Sequence, residues 1–393
     1  MNTLSTTRTA GVVLEATRRV VPSSGVRVAL HEPEFRGNEW RYLKECLDSG
    51  WVSSAGAYVD RFEQMLAAVT QAKHAIVVVN GTAALHVCLL LAGVQQGDEI
   101  LVPTLTFIAT ANAISYVGAV PHFVDSEERT LGVDANKLEA YLRSIAHVRD
   151  GVCRNKSTGA TIRALLPMHT FGHPVDLDSL AQLCDKWRLR LIEDAAESLG
   201  SLYKGRHTGT YGLLSALSFN GNKVVTSGGG GAILTNDATL AAHAKHLTTT
   251  ARTPHRWSFI HDQIGYNYRL PNINAALGCA QLERLPDVLD RKRRLADRYI
   301  QAFSNVDDAR IATEPPGTRS NYWLVTLILS RADIKLRDTV LRVLNENGLQ
   351  ARPAWTLMHR LPMYESCPHM DLAGAESLDA RIVNLPSSAA LAD

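Results

Sequence analysis

Many of the features that identify a protein class are missing from this chain. Its six cysteines (Cys46, Cys88, Cys153, Cys184, Cys279, Cys367) include no C-x-x-C pair, so zinc-site and thioredoxin-like readings have no support. Scattered thiols of this kind fit a reducing, cytoplasmic setting. No long apolar run is present. The stretches at residues 75–79 and 87–92 are far shorter than the roughly 20 residues a membrane helix needs. Neither sign of charge is in excess: 41 basic against 39 acidic residues leave +2, too little to draw the chain to nucleic acid or a membrane. The basic run Arg291-Lys292-Arg293-Arg294 is flanked by Asp287, Asp290 and Asp297 and reads as a solvated helix face. No internal repeat or low-complexity segment is visible. No G-x-G-x-x-G or G-K-[ST] element stands between a strand and a helix, which weakens dinucleotide and P-loop readings.

What the chain does have is length and alternation. Its 393 residues exceed the ~250–300 at which a single core stops growing, so two domains are expected. Residues 1–24, with Arg8, Arg18 and Arg19 and no secretory apolar core, read as a loose arm. Residues 25–280 form the large domain and 281–393 a smaller α+β one, which the arm helps complete. From residue 75 onward, short apolar strands (75–79, 100–102, 120–124, 164–168, 189–193, 215–219, 232–235) alternate with helical patterns. Such alternation predicts an α/β fold with a mainly parallel sheet. Ligands bind beyond the carboxyl ends of strands in these sheets. Asn80, Asp194 and Lys223 all fall at or just past predicted strand ends.

These positions carry the chemistry. Lys223 sits in Ser218-Phe219-Asn220-Gly221-Asn222-Lys223, just before four consecutive glycines. A lone lysine is usually solvated, but a partly buried one can lose its proton and act as a Schiff-base nucleophile. Asp194, in Glu193-Asp194-Ala195-Ala196-Glu197, is either a helix cap or a buried carboxylate that needs a cation. Gly81-Thr82 opens a helix straight after a strand, where backbone N–H groups bind phosphate; a plain capped turn is the other reading. Ser218 lends a hydroxyl to the same place. Phe107 either stacks on a ring or packs in the core. An amine nucleophile, a carboxylate and a phosphate cradle together point to pyridoxal 5'-phosphate. His169, Arg269 and His359 are weaker candidates for substrate contact, and His169 reads equally well as a satisfied loop histidine.

The ordered set resembles the DegT/DnrJ/EryC/StrS-type family of nucleotide-sugar aminotransferases, from about residue 30 to the end. Met168-His169-Thr170-Phe171-Gly172-His173-Pro174, residues 218–223 and Trp355-Thr356-Leu357-Met358-His359-Arg360-Leu361-Pro362 are similar to the LegC-like branch, linked to legionaminic-acid-type sugars. The resemblance implies the aspartate aminotransferase (type I) fold and a homodimer with active sites at its interface. By that resemblance Lys223 joins the cofactor aldehyde and Asp194 pairs with the ring nitrogen. Gly81, Thr82 and Ser218 hold the phosphate, Asn267 reaches it from the neighbouring subunit, and Phe107 stacks on the ring. Two positions depart from the pattern: Glu197 stands where many members have Gln against the ring hydroxyl, and Gly229 where many carry Glu.

The expected activity is amino transfer, with L-glutamate as donor, to C4 of a nucleotide-linked 4-keto-6-deoxy sugar, of the 2-acetamido kind. Another keto substrate such as a keto-inositol, or a non-catalytic pyridoxal-phosphate-binding regulator, are the alternatives.

Overall fold

A computed structural model describes residues 3–22 and 25–393. Its organising element is a sheet of seven strands: β1 (His74–Val78), β2 (Glu99–Pro103), β3 (Val120–Val124), β4 (Ile162–Leu165), β5 (Arg190–Asp194), β6 (Leu214–Ser218) and β7 (Gly231–Thr235). They lie in the order β1-β7-β6-β5-β4-β2-β3. All run parallel except β7, which is antiparallel to both its neighbours. This is the mainly parallel α/β sheet that the alternation predicts. No helix among the described residues is long and apolar enough to cross a membrane.

The strands are mostly apolar because both faces are covered. In β1, Ile76 and Val78 point into one core while Ala75 and Val77 point into the other, as a period of two requires. The first core holds the helix Gly81–Leu91, and the second holds Phe62, Phe219 and the helix Asn272–Glu283.

A second, four-stranded sheet is built from Ala309–Ile311, Val325–Leu329, Ile382–Leu385 and Arg352–Pro353, in that spatial order. It has its own core, shared with the helices Leu285–Phe303 and Ile334–Glu346. The N-terminal segment, expected as a loose arm, is instead helical over Thr3–Val20. Its Ala10, Val13, Ala16 and Val20 are buried in that core. Their i, i+3, i+6, i+10 spacing puts them on one stripe of the helix.

The helices Asn272–Glu283 and Leu285–Phe303 meet at Arg284, with Pro286 in the first turn of the second, where its missing N–H costs nothing. The two-part division is also less sharp than a boundary at residue 281. Met358, Tyr364, Met370 and Leu372 return to the large-sheet core, and Phe123 exchanges backbone hydrogen bonds with Pro368 and Met370.

The basic run 291–294 is not the solvated face expected: Arg291 is buried, and Lys292, on the helix Leu285–Phe303, is fully buried. Its Nζ donates to the Trp323 carbonyl at 3.1 Å and the Ser387 carbonyl at 2.6 Å, tying two loops to the helix. Burial pushes this amine down to about 7. The unfolded chain keeps its lysine proton up to the ordinary value of about 10.4. Between these values the unfolded state holds more protons than the folded one, so stability must rise with pH. Urea denaturation at several pH values should therefore show the wild type gaining stability relative to Lys292→Met from pH 7 to 10. A constant difference would mean that this amine does not titrate in the fold.

Candidate active site

The carboxyl ends of the parallel strands converge on one edge. There β1 runs on to Asn80 and the helix Gly81–Leu91, β5 ends at Asp194 and β6 at Ser218. Because β7 is reversed, it begins at the same edge, and Gly231 lies opposite both Val78 and Ser218. Space there is very tight. A Cβ on Gly231 would lie 2.5 Å from the Asn80 carbonyl carbon, and one on Gly81 would lie 3.0 Å from Ser218 Cβ. Gly229, by contrast, is open, with only the Val79 carbonyl 3.9 Å away.

Asn80 caps the helix, its side chain accepting the Ala83 N–H at 2.8 Å, and its carbonyl accepts the Ala84 N–H. The Gly81 and Thr82 N–H groups, which have no partner within the helix, remain for an anion.

Lys223 is brought to this edge by the turn after β6. Its Nζ lies 3.2 Å from Glu197 Oε1 and 3.9 Å from the Trp323 ring centroid, and its side chain is 13% exposed. Glu197 is buried. Its Oε2 accepts the Phe171 N–H at 2.9 Å, and no guanidinium joins it. Burial raises its carboxyl to about 7, against the opposing pull of the Lys223 ammonium. Phe171 can aim its N–H this way because it adopts a left-handed conformation (φ 55°), at a cost on the order of 1–3 kcal/mol.

Asp194 is also buried. Oδ2 accepts the Thr110 hydroxyl at 2.7 Å and Oδ1 the Ala196 N–H at 3.1 Å. Burial moves this carboxyl upward, and those two donors only partly offset the shift. A buried carboxylate with neutral donors alone is matched to a cationic ligand atom.

These groups border a cavity of about 360 Å³ that also contains Phe107, Asn220, Asn222 and Trp355. Phe107 caps the helix Ile108–Tyr116 and is 45% exposed, free to lie against a ligand. Its ring meets Trp355 edge-on at 6.0 Å, and Trp355 in turn packs 5.0 Å from Phe171.

The cavity therefore gathers Gly81, Thr82, Phe107, Asp194, Glu197, Ser218 and Lys223. Four sequence candidates lie elsewhere. Asn267 is exposed on the segment beyond the helix Ala238–Thr248 and does not border its own chain's cavity. His169 is fully buried, with Nε2 3.0 Å from Glu193 Oε2. Glu193 also accepts the Gly209, Tyr211 and Gly212 N–H groups, so the pair pins a turn. Arg269 is buried against Glu63 at 2.8 Å, and His359 bonds the Thr104 hydroxyl at 2.8 Å. Each of these three side chains has a partner within the chain.

Thr110 and Trp323 escape a sequence reading. Thr110 lies one helical turn beyond Phe107, a spacing that could have singled it out. Trp323 comes from the second sheet's side, a hundred residues after Lys223, and no local pattern marks it.

The buried carboxylate without a cation, the free N–H groups at a helix start and the cradle a Cβ would fill all suit pyridoxal 5'-phosphate. Residues 33–393 match the DegT/DnrJ/EryC1/StrS aminotransferase family. The chain is 38% identical to the GDP-perosamine synthase of Escherichia coli O157:H7, over 93% of this chain and 94% of that protein. Among solved structures it is similar to the aminotransferase TlmJ from Streptoalloteichus hindustanus, at 28% identity and a TM-score of 0.82, covering 92% of this chain and 93% of that one. It is also similar to DesI, solved in the presence of its TDP-sugar product, at 28% identity and a TM-score of 0.80, covering 95% and 91%. The chain belongs to the DegT/DnrJ/EryC1/StrS aminotransferase family and is a pyridoxal-phosphate-dependent sugar aminotransferase of the type I fold.

Proposed function

We propose that this enzyme moves an amino group from L-glutamate to C4 of a nucleotide-linked 4-keto-6-deoxy sugar. The sugar is of the 2-acetamido kind used for legionaminic-acid-type surface saccharides, and the reaction takes place in the cytoplasm. The observation that carries the reading is Lys223, set 3.2 Å from Glu197 in a cavity that Asp194 also lines. A nucleotide-linked substrate is supported by the relatives named for GDP- and TDP-sugar products. The motifs at residues 168–174 and 355–362 favour the LegC-like branch.

Pyridoxal 5'-phosphate supplies an aldehyde that receives the donor's nitrogen and a ring that draws electrons from the donor carbon. The protein's part is to hold and to move protons. Asp194 keeps the ring nitrogen protonated. Gly81, Thr82 and Ser218 would hold the phosphate, and Phe107 would lie against the ring. Lys223 Nζ would be the amine that holds the aldehyde and, once free of it, the base that would move the donor carbon's proton.

Asn267 completes the phosphate site from a second subunit. The segment around it supports such a dimer, with Trp257, Phe259 and Ile264 exposed by 71%, 76% and 85%. Contiguous exposed apolar groups of this size mark an interaction surface.

Three outcomes test the reading. Purified enzyme given L-glutamate and a panel of UDP- and GDP-linked 4-keto sugars should yield one aminated product by mass. Lys223→Ala should lower that yield roughly 1,000-fold or more. No product from any sugar removes the sugar assignment.

Burial holds the Glu197 carboxyl up at about 7 against the pull of Lys223, so it carries a proton over part of the neutral range. It can then donate to the cofactor's ring oxygen, and it repels that oxygen once it ionises. Cofactor affinity, followed by absorbance, should fall for the wild type relative to Glu197→Gln as the pH rises from 7 to 9. Parallel profiles would remove Glu197 from this contact.

Trp257→Glu with Phe259→Glu should shift light scattering to a monomer and weaken cofactor binding. A dimer that persists would place the interface elsewhere.

A further inference from the structure

One indole holds Lys223 in two ways. The Trp323 ring N–H donates to the Asn222 carbonyl at 2.7 Å, and the centroid of the same ring lies 3.9 Å from Lys223 Nζ. The edge of the ring therefore fixes the turn that carries the lysine, while its face meets the amine. This is the shortest cation-to-ring approach among the described residues; the others run from 4.2 to 5.8 Å. Trp323 is also buried, and the attraction between an ammonium and an aromatic face is strongest away from water.

The backbone around Trp323 is pinned on both sides. Its N–H donates to Asn321 Oδ1 at 2.8 Å, and its carbonyl accepts from Lys292 Nζ at 3.1 Å. The Asn321 amide donates in turn to the Glu197 carbonyl at 2.8 Å and the Leu199 carbonyl at 3.0 Å. Trp323 is thus registered against the segment that presents Glu197 to Lys223. Tyr322, just before it, is a buried non-glycine residue in the left-handed region (φ 46°). Such a conformation persists only where the surroundings impose it. Phe171, which turns its N–H to Glu197, is strained in the same way. Two strained residues therefore stand beside the two partners of one amine.

We propose that Trp323 is a positioning residue for amino transfer: it keeps the Lys223 amine in the cavity whenever that amine is free, and it favours the form that has taken up a proton. The proposal rests on the reading of Lys223 given above. A lysine ends a flexible four-carbon stem, and release from the aldehyde opens its rotamers. The ring face and Glu197 hold it in place. When the free amine takes the donor carbon's proton, a C–H bond breaks, an N–H bond forms on Nζ, and the C–H electron pair passes to the cofactor ring. The new positive charge then forms against the Trp323 face, which attracts it without carrying an opposite charge. A further carboxylate in that place would attract the amine too, but it would repel the cofactor's phosphate. Glu197 in contact, with Asp194 and His31 at longer range, are the titratable groups that act on this amine.

The test labels the full-length enzyme with trace acetic anhydride from pH 6 to 11, with and without pyridoxal 5'-phosphate, and follows the Lys223 peptide by mass. The cofactor should shield Lys223 in the wild type. Without cofactor, the pH of half-labelling should fall by about one unit in Trp323→Leu, because the ammonium loses its aromatic support, and by less in Trp323→Phe, which keeps a face. Fluorinated tryptophans placed at position 323 keep the shape and the N–H while weakening the face, so they should lower the same value stepwise in a protein that folds as the wild type does. In the loaded enzyme, the rate of amine transfer from glutamate should fall roughly tenfold in Trp323→Leu, with the half-saturating glutamate concentration unchanged. A half-labelling pH that does not respond to fluorination overturns the role of Trp323 and leaves Lys223 in place. A changed half-saturating concentration at constant half-labelling pH makes Trp323 a substrate contact and overturns the role equally. If the cofactor does not shield Lys223, the reading of Lys223 falls and this role with it.

Discussion

Two carboxyl groups, Asp194 and Glu197, are buried three residues apart with one amine for company. The site depends on that imbalance. Several other sheltered carboxylates are balanced with guanidinium: Glu34 with Arg291, Glu63 with Arg269, Glu314 with Arg293. Here Thr110, Ala196 and Phe171 supply hydroxyl and backbone donors instead. Neutral donors stabilise a carboxylate without cancelling its charge, so the cavity keeps an attraction for a cation that the protein does not satisfy. A protonated pyridine ring satisfies it. Glu197 is the adjustable member of the pair, because its proton depends on whether Lys223 carries charge.

Holding such a pair without water requires a stiff surround, which the sheet order provides. The reversal of β7 brings Gly231 against Asn80 and opposite Ser218, at the edge where β5 delivers Asp194. The start of the helix Gly81–Leu91 is thereby fixed a short distance from the amine and the carboxylates. Phosphate binding and proton chemistry share one rigid frame. The second sheet contributes Trp323, anchored by its indole N–H to the Asn222 carbonyl at 2.7 Å and by its own carbonyl to the buried Lys292. The wall that touches Lys223 is thus held from both parts of the molecule.

Much of this frame is legible in the sequence because it is local. Strand-to-helix alternation gave the sheet, and the residues at strand ends gave Asn80, Asp194 and Lys223. The rest is encoded by distance in space. Trp323 and Trp355 reach the cavity from the second sheet's side, and no period or spacing links them to Lys223. The N-terminal helix was hidden for another reason. Its buried stripe is Ala10, Val13, Ala16 and Val20, small residues that carry a weak apolar signal, and they need the helix Leu285–Phe303 as a partner to be worth burying.

His169, Arg269 and His359 show what residue type alone cannot decide. Each has suitable chemistry for a substrate, and each has spent it on Glu193, Glu63 or Thr104. A charged or polar side chain is available to a ligand only if the fold leaves it unmatched. The same condition marks Asp194, a buried carboxylate that borders the cavity with only neutral hydrogen-bond donors. Function in this molecule follows the places where its charge accounting is left open.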